Sequence, residues 1–192
     1  MANTVDYVSV GKPAGAGAIW RAPLGTTLPT DTDTALATAF KCLGYCSEDG
    51  YVQSTDISTE DIKAWGGDTV DSSMTGKVET HKFTAIESMN PEVLKAVYGD
   101  SNVSVDGTTH VITVRHNSVD NPASVYVVDI LMRNGGKRRV VIPNAKMTAL
   151  DDVTYKDDTP IGYGITLTAL AGGFGSGDND ASKEYTKPGS TT

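Results

Sequence analysis

The sequence predicts a mainly β chain: a single β-sandwich or barrel domain with one short α-helix, a long inter-strand loop and flexible termini. Three observations predict it. Glycine supplies 20 of the 192 residues, and such a supply of turns suits an antiparallel sheet. Segments of alternating or β-branched character recur along the chain, each bounded by turn residues. One stretch, opening at Asn90, carries helix signals at both ends. The length suffices for one domain with its own core. Hydrophobic residues reach 39% and aromatics 7%, so that core is modest and partners are expected to supply part of the stability.

Residues 1–17 read as a flexible N-terminal arm, because Gly11–Gly17 (GKPAGAG) has little to order it. Residues 18–171 form the domain. It starts with a short strand at Ala18–Ala22, broken by Pro23-Leu24-Gly25 and Leu28-Pro29-Thr30. Ala35–Leu43 fits either a helical turn or two, or an edge segment. Ser47-Glu48-Asp49-Gly50 is a turn signal, since Asp-Gly takes positive φ readily. A strand is expected across Tyr51–Ser58, followed by a long polar loop, Glu60–Gly76 (EDIKAWGGDTVDSSMTG), with paired glycines and Trp65. Loops of that length in a compact domain are usually functional.

Val78–Ile86 is strand-like. At the helix, Asn90 is a good N-cap, Pro91 suits the first helical position and Glu92 complements the dipole. Val93, Leu94, Val97 and Tyr98 then share one face, and Gly99 closes the end. Val103–Val105 and His110–Arg115 flank Asp106-Gly107. Ser124–Met132 and Lys137–Ile142 flank Arg133-Asn134-Gly135-Gly136, the strongest hairpin signal, and Pro143 is expected to end the second strand. Gly164–Leu170 is the last strand, with Ile165, Leu167 and Ala169 on one face. Residues 172–192, rich in Gly, Ser, Asp, Lys and Thr, read as a disordered C-terminal tail.

Chemistry is hard to find in these residues. Net charge is −8 and the isoelectric point is near 4.7, which disfavours adhesion to nucleic acid but not its passage. No apolar run is long enough to span a membrane, and the N-terminus carries no secretion signal. Cys42 and Cys46, with His81, His110 and His116 scattered, form no metal-ligand spacing, and two reduced thiols are expected. The acid pairs, such as Asp31/Asp33 and Asp157/Asp158, lie in turn-like sequence where nothing would raise a carboxyl pKa for catalysis. No catalytic residue, metal site or cofactor is assigned, and the chain is read as not an enzyme.

The ordered set GAGAIWRAPLGT, LGYCSEDGY, IKAWGGDTV, FTAIESMNPEVLKAVYG, the Arg133–Lys137 hairpin and GYGITLTAL resembles the major tail tube proteins of long-tailed, non-contractile bacteriophages, across roughly residues 10–172. The resemblance implies a structural subunit whose homohexameric rings stack into a tube, with an inner barrel lining the channel for DNA ejection. It implies contacts with itself and with tape measure, tail-tip and tail terminator proteins, DNA transit without specific binding, residence in the virion and assembly in the host cytoplasm. The family's loop between early strands mediates contacts within and between rings, so Ile62, Trp65, Asp68 and Val70 are the candidate contact residues. For Trp65, capping its own sheet is the equal alternative. Asp129 interrupts an apolar strand and is a candidate lumen-facing acid, with a salt bridge to Arg138 as the other reading. Two rival functions stay open: the inner tube of a contractile tail or related secretion or injection system, and a β-sandwich glycan-binding module.

Overall fold

The computed structural model describes residues 8–15, 17–175 and 177–189; residues 1–7, 16, 176 and 190–192, which belong to the expected arm and tail, lie outside the described residues. The strands are β1 (Gly11–Pro13), β2 (Ile19–Pro23), β3 (Lys41–Cys42), β4 (Cys46–Lys63), β5 (Thr69–Ala85), β6 (Val103–Val105), β7 (Ile112–Val114), β8 (Ser124–Met132), β9 (Lys137–Leu150), β10 (Tyr163–Ala169) and β11 (Lys183–Lys187), with α1 at Pro91–Tyr98. Nine strands make one antiparallel sheet in the order β3-β2-β8-β9-β10-β5-β4, with β1 added beside β8 and β11 beside β9. The segment 41–46 joins the ends of this path. Leu43 donates its N–H to the Ile19 carbonyl, while the Tyr45 carbonyl accepts from Ile86 N–H. The sheet therefore curls on itself, as a mainly β sandwich-like or barrel-like domain must to bury one face.

The concave side holds the main core: Ile19, Leu43, Phe83, Val128, Val140, Ile142, Ile165 and Leu167, with Val93, Leu94, Ala96 and Val97 of α1 packed on them. The helix forms where its caps predict. Asn90 Oδ1 accepts from Glu92 N–H at 3.0 Å, and Gly99, at φ 92°, sends its N–H back to the Lys95 carbonyl. In β10, Ile165, Leu167 and Ala169 point inward and are buried, matching the alternation. Truncating Leu167 to alanine removes a fully buried side chain from the main core. A loss of about 3 kcal/mol is expected, read as a lowered denaturation midpoint at an unchanged m-value.

A second, smaller core lies on the other side of β2, β8 and β9, where Ala22, Val125, Val127 and Val141 meet Phe40, Leu28, Leu36, Phe174 and Tyr185. Burial on both faces explains why Val125–Val128 is a continuous apolar run rather than an alternation. Two departures from expectation lie at the termini. The C-terminal segment is not a disordered tail in its described part, because β11 pairs with β9 from Lys183↔Val141 to Lys187↔Lys137 and Tyr185 covers apolar surface. In the N-terminal arm, Gly11–Pro13 pairs with Ile130–Met132.

Two further corrections concern strand boundaries, and one open reading is decided. Pro143 does not end β9. The register shifts there, Ser124 facing Ala145 and Tyr126 facing Ile142, so the proline sits in a bulge where its missing N–H is harmless. Ser47–Gly50 is not a turn but a bulge in β4, opposite the step from Ala85 to Phe83, with Gly50 at φ 73°. For Ala35–Leu43 the edge alternative is the one that forms, its end being the short edge strand β3. The Arg133–Gly136 turn is as expected, with Asn134 and Gly135 at φ 58° and 75° and Met132 N–H donating to the Gly136 carbonyl.

Candidate assembly surface: the β4–β5 ribbon

The largest difference from the sequence reading is the segment Glu60–Gly76, which is not a loop. β4 and β5 pair from Tyr51↔Phe83 out to Lys63↔Thr69, with single-residue irregularities after Ser58 and Ile62. Only Ala64–Asp68 turns. Ala64 N–H donates to the Asp68 carbonyl at 2.8 Å and Gly67 N–H to the Ala64 carbonyl. The turn needs left-handed backbone at Gly66 and Gly67, φ 123° and 102°, which is the physical reason for the paired glycines. At about 3.3 Å per residue, the twelve residues from Val52 to Lys63 give a ribbon about 40 Å long.

Beyond its root the ribbon is bare. All residues from Val52 to Val78 are exposed except half-buried Gly76. Among the described residues its edges are bare too: β5 meets β10 only along Glu79–Ala85, and β4 pairs with β5 alone. Yet it carries Val52, Ile57, Ile62, Trp65, Val70, Met74 and Val78, each at least 48% exposed. An isolated two-stranded ribbon is at best marginally stable in water, and unpaired edges are templates for further pairing. An element of this kind gains stability when it is covered.

The candidate contact residues converge on its tip. Ile62 stands opposite Asp71, Val70 is the unpaired residue of the last irregularity, and Trp65 and Asp68 lie in the turn. Trp65, at 108% exposure, does not cap its own sheet.

The root of the ribbon is a buried polar cluster that sequence reading missed. His81, fully buried on β5, lies with Nδ1 2.5 Å from the Tyr51 hydroxyl. Its Nε2 approaches Glu79 Oε1 at 3.2 Å, although without hydrogen-bond alignment. Glu79 also accepts from Gln53 Nε2 at 3.0 Å and from the Ser182 hydroxyl. No motif announces this cluster, because the cross-strand pairs Tyr51↔Phe83 and Gln53↔His81 come from register and Ser182 arrives from the far C-terminus.

Burial pushes the His81 pKa below its usual 6.5, with Glu79 opposing, so the ring is neutral in the fold. The unfolded chain then binds more protons below about pH 6.5, and stability falls as pH drops from there toward the lower folded pKa. The melting temperature is expected to fall between about pH 7 and pH 5 in the native chain and to fall less in His81→Gln. Equal slopes would remove His81 as the cause. The ion-paired carboxylates act lower. Asp33, held down to about 2 by Lys137 and then Lys187, contributes stability that is lost only as pH falls below its ordinary 3.8.

Asp129, the other candidate, is not free. Arg139 sits directly opposite on β9 and grips it with two hydrogen bonds, Nε to Oδ1 at 2.6 Å and Nη2 to Oδ2 at 2.9 Å. The alternative partner, Arg138, instead approaches Glu184 at 3.0 Å. Arg139 also donates to the carbonyls of Asp31 and Thr34 at 3.0 and 2.8 Å, pinning the 24–40 loop over the second core. Cys42 and Cys46 form no disulfide, and burial, then Cys42 and Glu87, push the Cys46 thiol up to about 11. No group of three or more metal-ligating side chains lies together among the described residues.

A family model described as phage tail tube protein matches residues 5–180. The chain belongs to the phage tail tube protein family. That match runs from β1 through β10, the ribbon included, and ends before β11. The family places the protein in the virion tail as a structural component. No curated protein sequence matches the chain. No helix among the described residues is long and apolar enough to cross a membrane.

Proposed function

We propose that this tail tube protein is the repeating subunit of a long, non-contractile phage tail, in which six copies form a ring and rings stack into the conduit for DNA ejection. The observation that carries the reading is the β4–β5 ribbon, with bare faces, bare edges and seven exposed large hydrophobics. Copies of the same chain, along with tape measure, tail-tip and terminator proteins at the tube's interior and ends, are the partners such a surface would serve. Ile62, Trp65, Asp68 and Val70 are the residues proposed to touch a neighbour, with Trp65 as the aromatic anchor. A net charge of −8 per subunit repels the phosphates of passing DNA, so transit needs no specific binding. Asp129 adds little to that repulsion, because Arg139 matches its charge.

Electron microscopy of the concentrated protein, with size-exclusion chromatography alongside, tests the reading. Hollow rings or tubes of six-fold symmetry are expected. A chain that stays monomeric at every concentration, even with tail-tip complexes added, sinks it.

A further inference from the structure

We propose that the ribbon tip of one copy seats in a groove at the β8–β9 turn of the neighbouring copy in the same ring. This rests on the tube reading above and specifies which surface receives the tip. The groove, of about 370 Å³, is lined by Val10, Lys12, Leu131, Met132, Arg133 and Gly135. It combines apolar walls with two cations.

Charge selects this groove over the others. The tip, residues 60–71, holds Glu60, Asp61, Asp68 and Asp71 against Lys63, four acids less one lysine, or −3. Neighbouring cations are already used: Lys137 and Lys187 by Asp33, Arg138 by Glu184 and Arg139 by Asp129. Lys12 and Arg133 make no ion pair among the described residues. They are thus open to an acidic partner, and either can lie over an indole face. A second apolar pocket, of about 310 Å³ and lined by Met89, Leu94, Tyr155 and Ile161, would also admit Trp65. Its lining carries no cation, and the chain on either side of Tyr155 holds Asp152, Asp157 and Asp158 against Lys156, so nothing there attracts an acidic tip. The cavity of about 520 Å³ at the sheet's seam shares Lys12 with the groove but adds the acid Glu48 to its lining and lacks Arg133, so it attracts an acidic tip less.

Register decides the direction. Glu79 of β5 lies beside Ala169 of β10, which lies beside Ala145 of β9. From that level β5 runs back to Thr69 at the tip, and β9 runs back to Lys137 at the turn, toward the same end of the subunit. Copies related by rotation about an axis along the strands bring tip and groove to one level. Stacking instead brings the tip against the far end, where the second apolar pocket lies.

Charge reversal in the full chain tests this. Lys12→Glu/Arg133→Glu makes both surfaces acidic, and Asp61→Lys/Asp68→Lys makes both basic. Each variant alone is expected to lose on the order of tenfold in sedimentable tubes while its monomer melts as the native chain does. Mixed one to one, they alternate around a six-membered ring and assembly returns. Native-level assembly of either variant alone, or failure of the mixture, overturns the proposal. A map of native tubes is expected to show Trp65 against Arg133 of the adjacent subunit in the same ring. Trp65 found against the next ring overturns the lateral contact while leaving the tube reading intact. Native protein that never assembles removes the tube reading itself.

Discussion

Replacing residues 56–78 with Asn-Gly, so that Thr55 turns directly into Glu79, is expected to give a folded monomer that forms no tubes. Thr55 and Glu79 already stand opposite each other, and Asn-Gly supplies the left-handed pair a tight hairpin needs. The deleted residues are exposed apart from Gly76, and none belongs to either core cluster. Their removal costs no buried apolar area, and the root cluster of Tyr51, Gln53, Glu79 and His81 stays whole. The melting temperature should stay within about 3 °C of the native value, the equivalent of roughly 1 kcal/mol in a chain of this size. A drop of 10 °C or more would show that the ribbon supports the domain. Tubes of normal yield from the shortened chain would show that it is not the assembly element.

The second large effect is expected at Arg139. Its guanidinium is buried, 7% exposed, against an Asp129 carboxylate at 19%. It makes four hydrogen bonds, two to that carboxylate and two to carbonyls of the 24–40 loop. Arg139→Met removes all four, strands a mostly buried carboxylate and releases the loop from the second core. A loss of about 3–5 kcal/mol follows, a fall of roughly 10 °C or more in melting temperature. Arg139→Lys keeps the charge without the fork and should fall between. Asp129→Leu in the Arg139→Met background should recover at least half of the loss, since no unpaired charge then remains. If the double variant is no more stable than the single one, the cost lies in the loop carbonyls and not in the ion pair.

Much of the fold is legible because its causes are local. Asn90, Pro91 and Gly99 carry the helix boundaries in their own backbone preferences, and Asn134-Gly135 carries the β8–β9 turn. The alternation of Ile165, Leu167 and Ala169 records one wet face and one dry face. The ribbon escaped the same reading because neither of its faces is dry in the subunit. Without a buried side there is no period of two to see, and its polar, glycine-containing sequence resembles a loop. What was legible there was the tip: Trp65 and its paired glycines stand out by type, whatever the backbone around them does.

By itself the sequence determined the β class, the single capped helix, the strands that line the main core and the acidic surface, because each follows from propensity, capping or pattern within a few residues. Only the tertiary structure decided which partners meet across the chain. Strand pairing made Arg139, and not Arg138, the partner of Asp129, since residues directly opposite share a face and their neighbours point away. Pairing with β9 ordered Lys183–Lys187, whose composition alone could not bury enough to fold. And pairing between β4 and β5 made a ribbon of residues 52–78, because backbone hydrogen bonds are indifferent to the side chains that sequence patterns record.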